Sequence, residues 1–206
     1  MEILYFDKLD STHKYLLRNL KNNTIKPPIM ITADEQTDGI GTRGRDWQSL
    51  KGNLFLSCAL TKEFLPHDIQ TQSISIYFAY QFKELLESFG SSVWLKWPND
   101  FYIDDKKIGG ILSQKVRDFY IVSIGLNIKK SPENFQIIDI SLNKNKIISQ
   151  FILELKKVPS WKKIFSKYQV EFNKSRAFKA TYHDNKKLPL KDAVLNYDGS
   201  IDFKER

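Results

Sequence analysis

The most informative stretch for the fold class is Gln36-Thr37-Asp38-Gly39-Ile40-Gly41-Thr42-Arg43-Gly44-Arg45-Asp46-Trp47. Its three glycines, two arginines and one tryptophan leave little apolar surface to bury, so this loop does not hold a core together. Glycine gives access to backbone amides, guanidinium groups bind phosphate, and an indole offers a flat face to a ring. The stretch therefore predicts a nucleotide-binding loop. The structural alternative is a solvated hairpin loop with incidental arginines.

The glycines Gly39, Gly41 and Gly44 also fit the spacing of dinucleotide-binding folds, which require a strand before the loop and a helix after it. Residues 28–33 can form the strand. However, residues 45–52 lack helical apolar spacing and lead into a second apolar strand at 53–60. No Gly-Lys-Ser or Gly-Lys-Thr follows the glycines, so a Walker-type loop is excluded as well. The sequence thus argues against a regular strand–helix nucleotide-binding domain.

Size and composition indicate a globular protein with one domain, or one domain and a small appendage. The chain has 206 residues, of which 41% are hydrophobic, and a chain of this length buries roughly 70% of its unfolded surface. No apolar run approaches the roughly 20 residues of a membrane span, and the N-terminus lacks the features of a secretory signal. Cys58 is the single cysteine, which suits a reducing cytoplasm, and the three scattered histidines do not predict a metal site.

The net charge of +8 is unevenly distributed. Residues 1–103 carry 11 basic against 12 acidic residues, a net of −1, and residues 104–206 carry 21 against 12, a net of +9. Paired lysines such as Lys156-Lys157 and Lys162-Lys163 are most simply a solvated helix face. The alternative is an acidic macromolecular partner, and a non-enzymatic RNA-binding module is one such reading. No RNA-binding motif with interleaved aromatic residues supports that module.

The order of elements predicts a mixed α+β fold with a largely antiparallel sheet. Ser11 is a good N-cap for a first helix that ends near Asn22. Apolar residues recur at helical spacing over 70–89, 143–155 and 159–172, with Pro159 favouring the start of the last helix. Strands are expected over 2–9, 28–34, 53–60, 93–103, 107–112 and 119–128, and short strands after residue 177. The predicted division is a catalytic domain over 1–176 and a reduced C-terminal β domain over 177–206.

A second polar stretch, Lys96-Trp97-Pro98-Asn99-Asp100, lies where Pro98 interrupts a strand. Such an interruption lets Asn99 and Asp100 point into a site. The returning strand carries Lys107-Ile108-Gly109-Gly110, and two glycines inside a strand indicate a bulge or a ligand against the backbone.

Three motifs in fixed order resemble the catalytic domain of biotin–protein ligases. They are Asp10-Ser11-Thr12, the loop 36–47 with its following strand, and the stretch 96–100 with 107–112. The resemblance covers residues 3 to 128 and implies the class II synthetase-like fold of biotin and lipoate ligases with a small SH3-like β-tail. Many members carry an N-terminal winged-helix repressor. The first motif falls at Ser11, so the sequence suggests a form without that DNA-binding domain.

The resemblance implies a two-step reaction. Biotin and Mg-ATP form biotinyl-5′-AMP and pyrophosphate, and a lysine of a biotin carrier domain, such as that of acetyl-CoA carboxylase, then takes the biotin. The catalytic residues implied are Lys107, Asp100, Arg43 and Arg45. The residues matched to biotin binding are Ser11, Thr12, Gln36, Gly39, Ile40, Lys107, Gly110, Ser123 and Gly125. Those matched to ATP or the adenylate are Gly41, Thr42, Arg43, Arg45, Trp47, Lys96, Asn99, Lys107 and Asn127. Trp47 and Asn127 are matched to adenine, and Asp100 to deprotonation of the carrier lysine.

Two departures from the family pattern accompany these assignments. Many members have arginine where this loop has Ile40 and Thr42. The loop therefore has fewer positive charges to bind phosphate, and we expect it to retain the adenylate more weakly. The C-terminal tail lacks most of the family's glycines. A lipoyl or octanoyl transferase of the same fold is the nearest enzymatic alternative, and pairing of two chains into a homodimer is left open.

Overall fold

The computed structural model describes residues 1–181 and 187–203. The main sheet contains β1 (Glu2–Leu9), β2 (Ile29–Gln36), β3 (Leu54–Leu60), β4 (Trp94–Lys96), β5 (Asp100–Ile103), β6 (Lys106–Val116) and β7 (Phe119–Leu126). Their order across the sheet is β1-β2-β3-β7-β6-β5-β4. β1 and β2 are parallel, and the other neighbouring pairs are antiparallel. The predicted mixed, largely antiparallel α+β fold is confirmed.

The helices cover the two faces of this sheet unequally. They are α1 (Thr12–Lys21), α2 (Ile74–Ser88), α3 (Lys144–Leu155) and α4 (Trp161–Ser175). On one face α1 buries Leu16 and Leu20 against Ile31 of β2 and Ile121 of β7. The larger core on the opposite face packs α2, α3 and α4 against the sheet. Because α1 is short, it leaves part of its face of the sheet for a site.

Side chains of the central strands β3 and β7 alternate between the two faces of the sheet. This alternation places polar side chains on the α1 face beside the small core. In β3, Leu54, Leu56 and Cys58 join the large core, whereas Ala59 joins the small core under α1. Successive side chains of a strand point to opposite faces. Ser57, two residues before Ala59, therefore lies on the α1 face, as does its partner Ser123 in β7. Hydroxyl groups thus replace apolar groups just beyond the end of the small core.

Helix termini agree with the predictions except at α2 and α4. Ser11 caps α1 by accepting a hydrogen bond from the backbone of Lys14. Thr71–Ser73 forms a 3-10 turn, so α2 begins at Ile74 rather than at residue 70. The prediction that Pro159 begins α4 was wrong. Ser160 is the N-cap and Trp161 is the first helical residue, because a hydroxyl that accepts from the Lys163 amide satisfies the helix end directly.

The tail forms two short hairpins, β8 (Lys179–Thr181) with β9 (Lys187–Pro189) and β10 (Ala193–Leu195) with β11 (Ile201–Phe203). It is tied to the main body, since Trp97 Nε1 donates to the Gly199 carbonyl at 2.8 Å and Trp161 Nε1 donates to the Tyr197 carbonyl at 2.8 Å. Ile201 is buried in the large core. The predicted short β-tail is confirmed for the described part; residues 182–186 and 204–206 of the predicted domain 177–206 lie outside it. The division between residues 176 and 177 stays a prediction.

Candidate active site

An inner cavity lies on the α1 face of the sheet, beside the N-terminus of α1. The sequence motifs that are distant in the chain meet there. Its lining residues are Ser11, Thr12, His13, Gln36, Ile40, Gly41, Thr42, Trp47, Phe55, Asn99, Asp100, Lys107, Gly110, Ile111, Leu112, Ser123, Ile124 and Gly125. The wall combines apolar side chains with a few convergent polar groups, which is the usual character of a small-molecule site.

A continuous line of hydrogen bonds forms the polar side of this cavity. The carboxamide oxygen of Gln36 accepts from the Thr12 amide at 2.8 Å. The Thr12 and Ser57 hydroxyl groups are hydrogen-bonded at 2.8 Å, and Ser57 donates to Ser123 at 2.7 Å. The line continues from Ser123 to His13 Nδ1 at 2.8 Å. A fixed set of donors and acceptors of this kind suits a small, neutral, polar ring.

The sequence predictions missed His13, which ends this line. Its Nε2 lies 2.9 Å from the Gln114 carboxamide oxygen, and the side chain is buried. Burial lowers the pKa of His13 below its usual value of 6.5, and the hydrogen bond with Gln114 opposes that shift. The signal was available in the sequence, because His13, Leu16 and Leu20 share one helical face. A titratable residue on a buried stripe requires a polar partner.

The mouth of the cavity is marked by an ion pair between Lys107 and Asp100, whose Nζ and Oδ1 atoms are 2.6 Å apart. The backbone explains their approach. A register shift between β5 and β6 follows Phe101, which pairs with Gly109, and Asp100 pairs with Gly110. A Cβ atom at Gly110 would lie 3.1 Å from Asp100 Oδ1. The bulge predicted from the two glycines is confirmed, and it aims both charged groups at the cavity.

A second, wider cleft adjoins the cavity and shares Thr42, Asn99, Asp100, Lys107 and Leu112 with it. Among the described residues, six cationic side chains line this outer cleft, against the one carboxylate of Asp100. The cations are Arg43, Arg45, Lys96, Lys107, Lys179 and Lys187. Such a surface concentrates positive potential where an anionic group would lie beside the inner cavity.

Lys96 is the buried member of this cationic set. It belongs to β4, and its Nζ lies 5.3 Å from the centre of the Tyr102 ring. Burial lowers the pKa of Lys96; the Asp100 charge opposes this shift, and the Lys107 charge adds to it. An anion in the cleft would offset the cost of holding this ammonium group out of water. Asn99 is also buried, and its carboxamide donates to the Ile111 carbonyl.

The glycine loop closes over the cavity as an irregular hairpin. Ile40 bridges Asp46, the Gly41 amide donates to the Arg45 carbonyl at 2.7 Å, and Thr42–Gly44 forms a 3-10 turn. No α-helix follows the glycines, so the argument against a dinucleotide-binding crossover is confirmed. Arg43 reaches the tail, where its Nη1 donates to the Thr181 carbonyl at 2.6 Å.

Trp47 and Thr42 have specific contacts within this loop. The indole of Trp47 packs directly on the backbone of Gly125. A Cβ atom at Gly125 would lie 2.6 Å from Trp47 Cε2, so a larger residue would clash with the indole. Lys107 Nζ lies 5.7 Å from the indole centre. The Thr42 hydroxyl accepts from Arg45 Nη2 at 2.9 Å, so Thr42 holds a cation in place rather than supplying one.

Two residues expected at the site do not line either cavity. Gly39 packs inside the loop, where a Cβ atom would be 2.6 Å from Ser49 Oγ and 2.7 Å from the Trp47 carbonyl oxygen. Asn127 is buried, with its carboxamide 3.3 Å from Asn53 Nδ2 and 3.3 Å from the Gln136 carbonyl. A biotin contact for Gly39 and an adenine contact for Asn127 therefore stay predictions.

Two other kinds of site are absent from the described residues. Over residues 1–181 and 187–203, no group of three or more His, Cys, Asp or Glu side chains is arranged to hold a metal ion. Within the same ranges, no helix has the length and apolarity needed to cross a membrane.

Comparison with known proteins matches residues 5–129, more than half of the chain, to the biotin/lipoate A/B protein ligase family. The bifunctional ligase/repressor BirA of Bacillus subtilis is 31% identical over 139 residues, which are 65% of this chain and 42% of that protein. BirA of Escherichia coli is 32% identical over 165 residues, which are 72% of this chain and 50% of that protein. The chain thus spans half or less of the length of these two relatives.

A solved structure extends the match over the whole chain. The biotin acetyl coenzyme A carboxylase synthetase of Helicobacter pylori, solved with bound biotinylated ATP, is 39% identical with a TM-score of 0.95, and the match covers 100% of this chain and 97% of that one. These matches confirm the family resemblance that the three sequence motifs indicated. The chain belongs to the biotin/lipoate A/B protein ligase family.

Proposed function

We propose that this protein is a biotin–protein ligase, which forms biotinyl-5′-AMP from biotin and ATP and transfers the biotin to a lysine of a carrier protein. The observation that carries the proposal is the position of Lys107. This lysine lies at the junction of a neutral, hydrogen-bonding cavity and a cationic cleft, and it lines both. A ligand with a polar ring and a carboxylate can place its ring in the cavity and its carboxylate at Lys107.

The first step requires a carboxylate oxygen to attack the α-phosphorus of ATP, with pyrophosphate as the leaving group. Both reactants are anions, so fixed cations must offset the charge that develops in the transition state. Lys107 lines both the cavity and the cleft, whereas Arg43, Arg45 and Lys96 line the cleft alone. We assign Lys107 to the carboxylate and α-phosphate, and the other three residues to the phosphate groups.

Ring recognition falls to the polar side of the cavity. The assigned contacts are the side chains of Ser11, Thr12, Gln36 and Ser123 and the backbone at Gly110 and Gly125, all of which line the cavity. Ile40 and Phe55 supply apolar wall for the rest of the molecule. Trp47 lines the cavity and also a neighbouring pocket formed with residues 132–135, which is a place for the flat adenine ring.

In the second step the amine of a carrier lysine attacks the acyl carbonyl of the adenylate, forms an amide and releases AMP. The incoming ammonium group must first lose a proton. Asp100 lies at the mouth of the cavity and is the acidic residue among the described ones that line the outer cleft. We therefore assign it the role of orienting and deprotonating this lysine. The carrier is proposed to be the biotin domain of acetyl-CoA carboxylase, and the positive surface suits an acidic domain.

Magnesium enters the proposed reaction as part of the substrate Mg-ATP. Mg²⁺ prefers phosphate oxygens and water, with one or two carboxylates, to a protein cage. Among the described residues that line the outer cleft, Asp100 is the one carboxylate, and this fits that preference. A cytoplasmic location is proposed on separate grounds, since the buried thiol of Cys58 is unpaired.

The decisive test is biotin-dependent exchange of labelled pyrophosphate into ATP. We expect Lys107→Ala to lower the exchange rate by on the order of 10²–10³, because it removes a preorganised charge from the reacting centre. Circular dichroism and thermal unfolding should match those of the unmodified protein, since Lys107 is partly exposed. Lys106→Ala, one residue away and exposed, is the matched control. Near-normal exchange by Lys107→Ala would refute the assignment.

The same assay separates the enzymatic alternatives. The matched family includes lipoate ligases, so lipoate and octanoate should be run beside biotin. Exchange with biotin alone supports the proposal, and exchange with lipoate or octanoate instead would favour the alternative. Salt-dependent RNA binding without exchange would favour the RNA-binding module suggested by the basic half of the chain.

A further inference from the structure

We propose that His13 is a positioning residue for ligand binding, which fixes the Ser123 hydroxyl so that Ser123 presents a hydrogen-bond acceptor to the inner cavity. This inference rests on the proposed function, because the ligand it concerns is the N–H of a ring such as the ureido group of biotin. It assigns a task to a residue that none of the three sequence motifs includes. Two neighbouring contacts carry the argument.

The first contact sets the tautomer of His13. Its Nε2 lies 2.9 Å from Gln114 Oε1, a carbonyl oxygen that can only accept, so Nε2 carries the ring proton. The neutral ring then has an unprotonated Nδ1. Burial favours this neutral form, because charging the ring would cost desolvation energy.

The second contact orients Ser123. Its hydroxyl lies 2.8 Å from His13 Nδ1, and an unprotonated Nδ1 can only accept, so Ser123 must donate its single hydrogen there. Ser123 Oγ also accepts from Ser57 at 2.7 Å. A hydroxyl oxygen has two lone pairs. One lone pair of Ser123 is therefore left, and Ser123 lines the cavity, where it can accept an N–H from a ligand.

Without His13, the Ser123 hydroxyl has no fixed acceptor for its hydrogen. The Ser123 hydrogen would be free to turn toward the cavity and meet a ligand N–H as a second donor. Two donors facing each other lose a hydrogen bond and leave both groups unsatisfied. His13 thus acts on the ligand through the orientation of the Ser123 hydroxyl.

Two substitutions at His13 separate its two nitrogens. His13→Asn keeps an acceptor oxygen near the place of Nδ1 and so retains the contact to Ser123. His13→Gln extends to the place of Nε2 and retains the contact to Gln114 instead. Isothermal titration calorimetry with biotin should give a dissociation constant near that of the unmodified protein for His13→Asn. For His13→Gln we expect it to be weaker by roughly three- to tenfold. Equal binding by the two variants would overturn the proposal.

Ser123→Ala supplies the matched second site. If His13 acts through Ser123, then adding His13→Gln to Ser123→Ala should cost no further affinity for biotin. A merely structural role would make the two losses add. Additive losses, with each variant folded by circular dichroism, would therefore contradict the inference.

The tautomer of His13 can be measured directly on the unmodified protein. Long-range ¹H–¹⁵N NMR spectra distinguish the two imidazole tautomers, and we expect the Nε2–H form for His13. The Nδ1–H form would overturn the proposal even if biotin binds. Failure of the proposed function has a different signature, namely no binding of biotin by the unmodified protein in calorimetry and no pyrophosphate exchange.

Discussion

Asp100 and Lys107 show how one pair of side chains can serve both steps of the proposed reaction. Their charged atoms are 2.6 Å apart at the mouth of the cavity. While the carboxylate of the substrate is being activated, the cation of this pair is needed most. When a carrier lysine arrives, the carboxylate is the group that can receive its proton.

Asp100→Asn should therefore separate the two steps. We expect transfer of biotin from preformed adenylate to a carrier protein to slow by on the order of 10²-fold, the usual loss when a general base is removed. Adenylate formation should fall much less, because Lys107 keeps its charge. Single-turnover chemical quench measures both rates, and an equal loss in both would remove Asp100 from the transfer step.

Gly109 of β6 and Gly125 of β7 face different neighbours, and this difference predicts different phenotypes. A Cβ atom at Gly109 would lie 2.5 Å from the backbone carbonyl oxygen of Gly125, which cannot move without the sheet. A Cβ atom at Gly125 would instead meet the Trp47 indole, which sits on a loop. We expect Gly109→Ala to lower the free energy of unfolding by about 1–3 kcal/mol.

For Gly125→Ala we expect a smaller loss of stability but weaker binding of ATP, with a shift in tryptophan fluorescence as Trp47 is displaced. Urea unfolding and the KM for ATP are the measurements. The reverse pattern, with Gly125→Ala the less stable variant and its KM unchanged, would show that Trp47 does not depend on this bare backbone.

At the scale of elements, the tip of the glycine loop is exposed, and its ties to the rest of the chain are mostly polar, such as those of Arg43 to Thr181 and of Asp38 to Lys14. Residues 43–46 are exposed, and the backbone bonds across the loop run from Gly41 to Arg45 and from Trp47 to Gly39. Ordering about ten residues costs on the order of 10 kcal/mol at about 1 kcal/mol each, and few apolar side chains offset this cost. A ligand that binds the loop would supply the difference.

We therefore expect residues 37–46 to exchange amide hydrogen rapidly without ligand and to become protected with biotin and ATP together. Hydrogen exchange read by mass spectrometry tests this expectation. Lys107→Ala, which should not accumulate the adenylate, is the control and should gain less protection. Equal exchange of the loop with and without ligands would contradict a ligand-ordered loop.

At the scale of the whole molecule, buried His13 links stability to pH. Its pKa is lowered in the folded protein, so the unfolded chain, with a His pKa near 6.5, binds a proton first as the pH falls. Protonation then favours the unfolded state. The thermal midpoint should be flat above about pH 7.5 and decline from pH 6.5 toward the lower folded pKa.

His13→Asn should remove this decline, because asparagine does not titrate. A second decline, below the ordinary aspartate pKa of 3.8, should remain in both proteins. Burial by itself would raise the pKa of Asp139, but hydrogen bonds from Ser91 and Ser92 outweigh it and hold this pKa below its usual range. Differential scanning calorimetry over this pH range measures both declines. Parallel curves between pH 6.5 and about 5 would show that His13 does not govern stability there.

Local sequence was sufficient for most of the helices and strands, whereas the residues assigned to the site came from the family resemblance and stay predictions. Apolar periodicity located four helices, Ser11 identified a helix start, and Gly109-Gly110 indicated a bulge that the structure contains. These features depend on side-chain spacing and backbone freedom within a few residues. The same is true of the glycine loop, whose lack of a following helix excluded a dinucleotide-binding crossover.

Tertiary structure alone decided which of those residues meet. The polar line from Gln36 to Gln114 crosses a helix and four strands, and the pairing of Ser57 with Ser123 depends on the register of β3 and β7. Tertiary packing also placed Gly39 and Asn127 away from both cavities, and it brought Lys179 and Lys187 of the tail to the cationic cleft. Contacts between residues far apart in the chain are set by strand register and helix packing, which a local pattern does not encode.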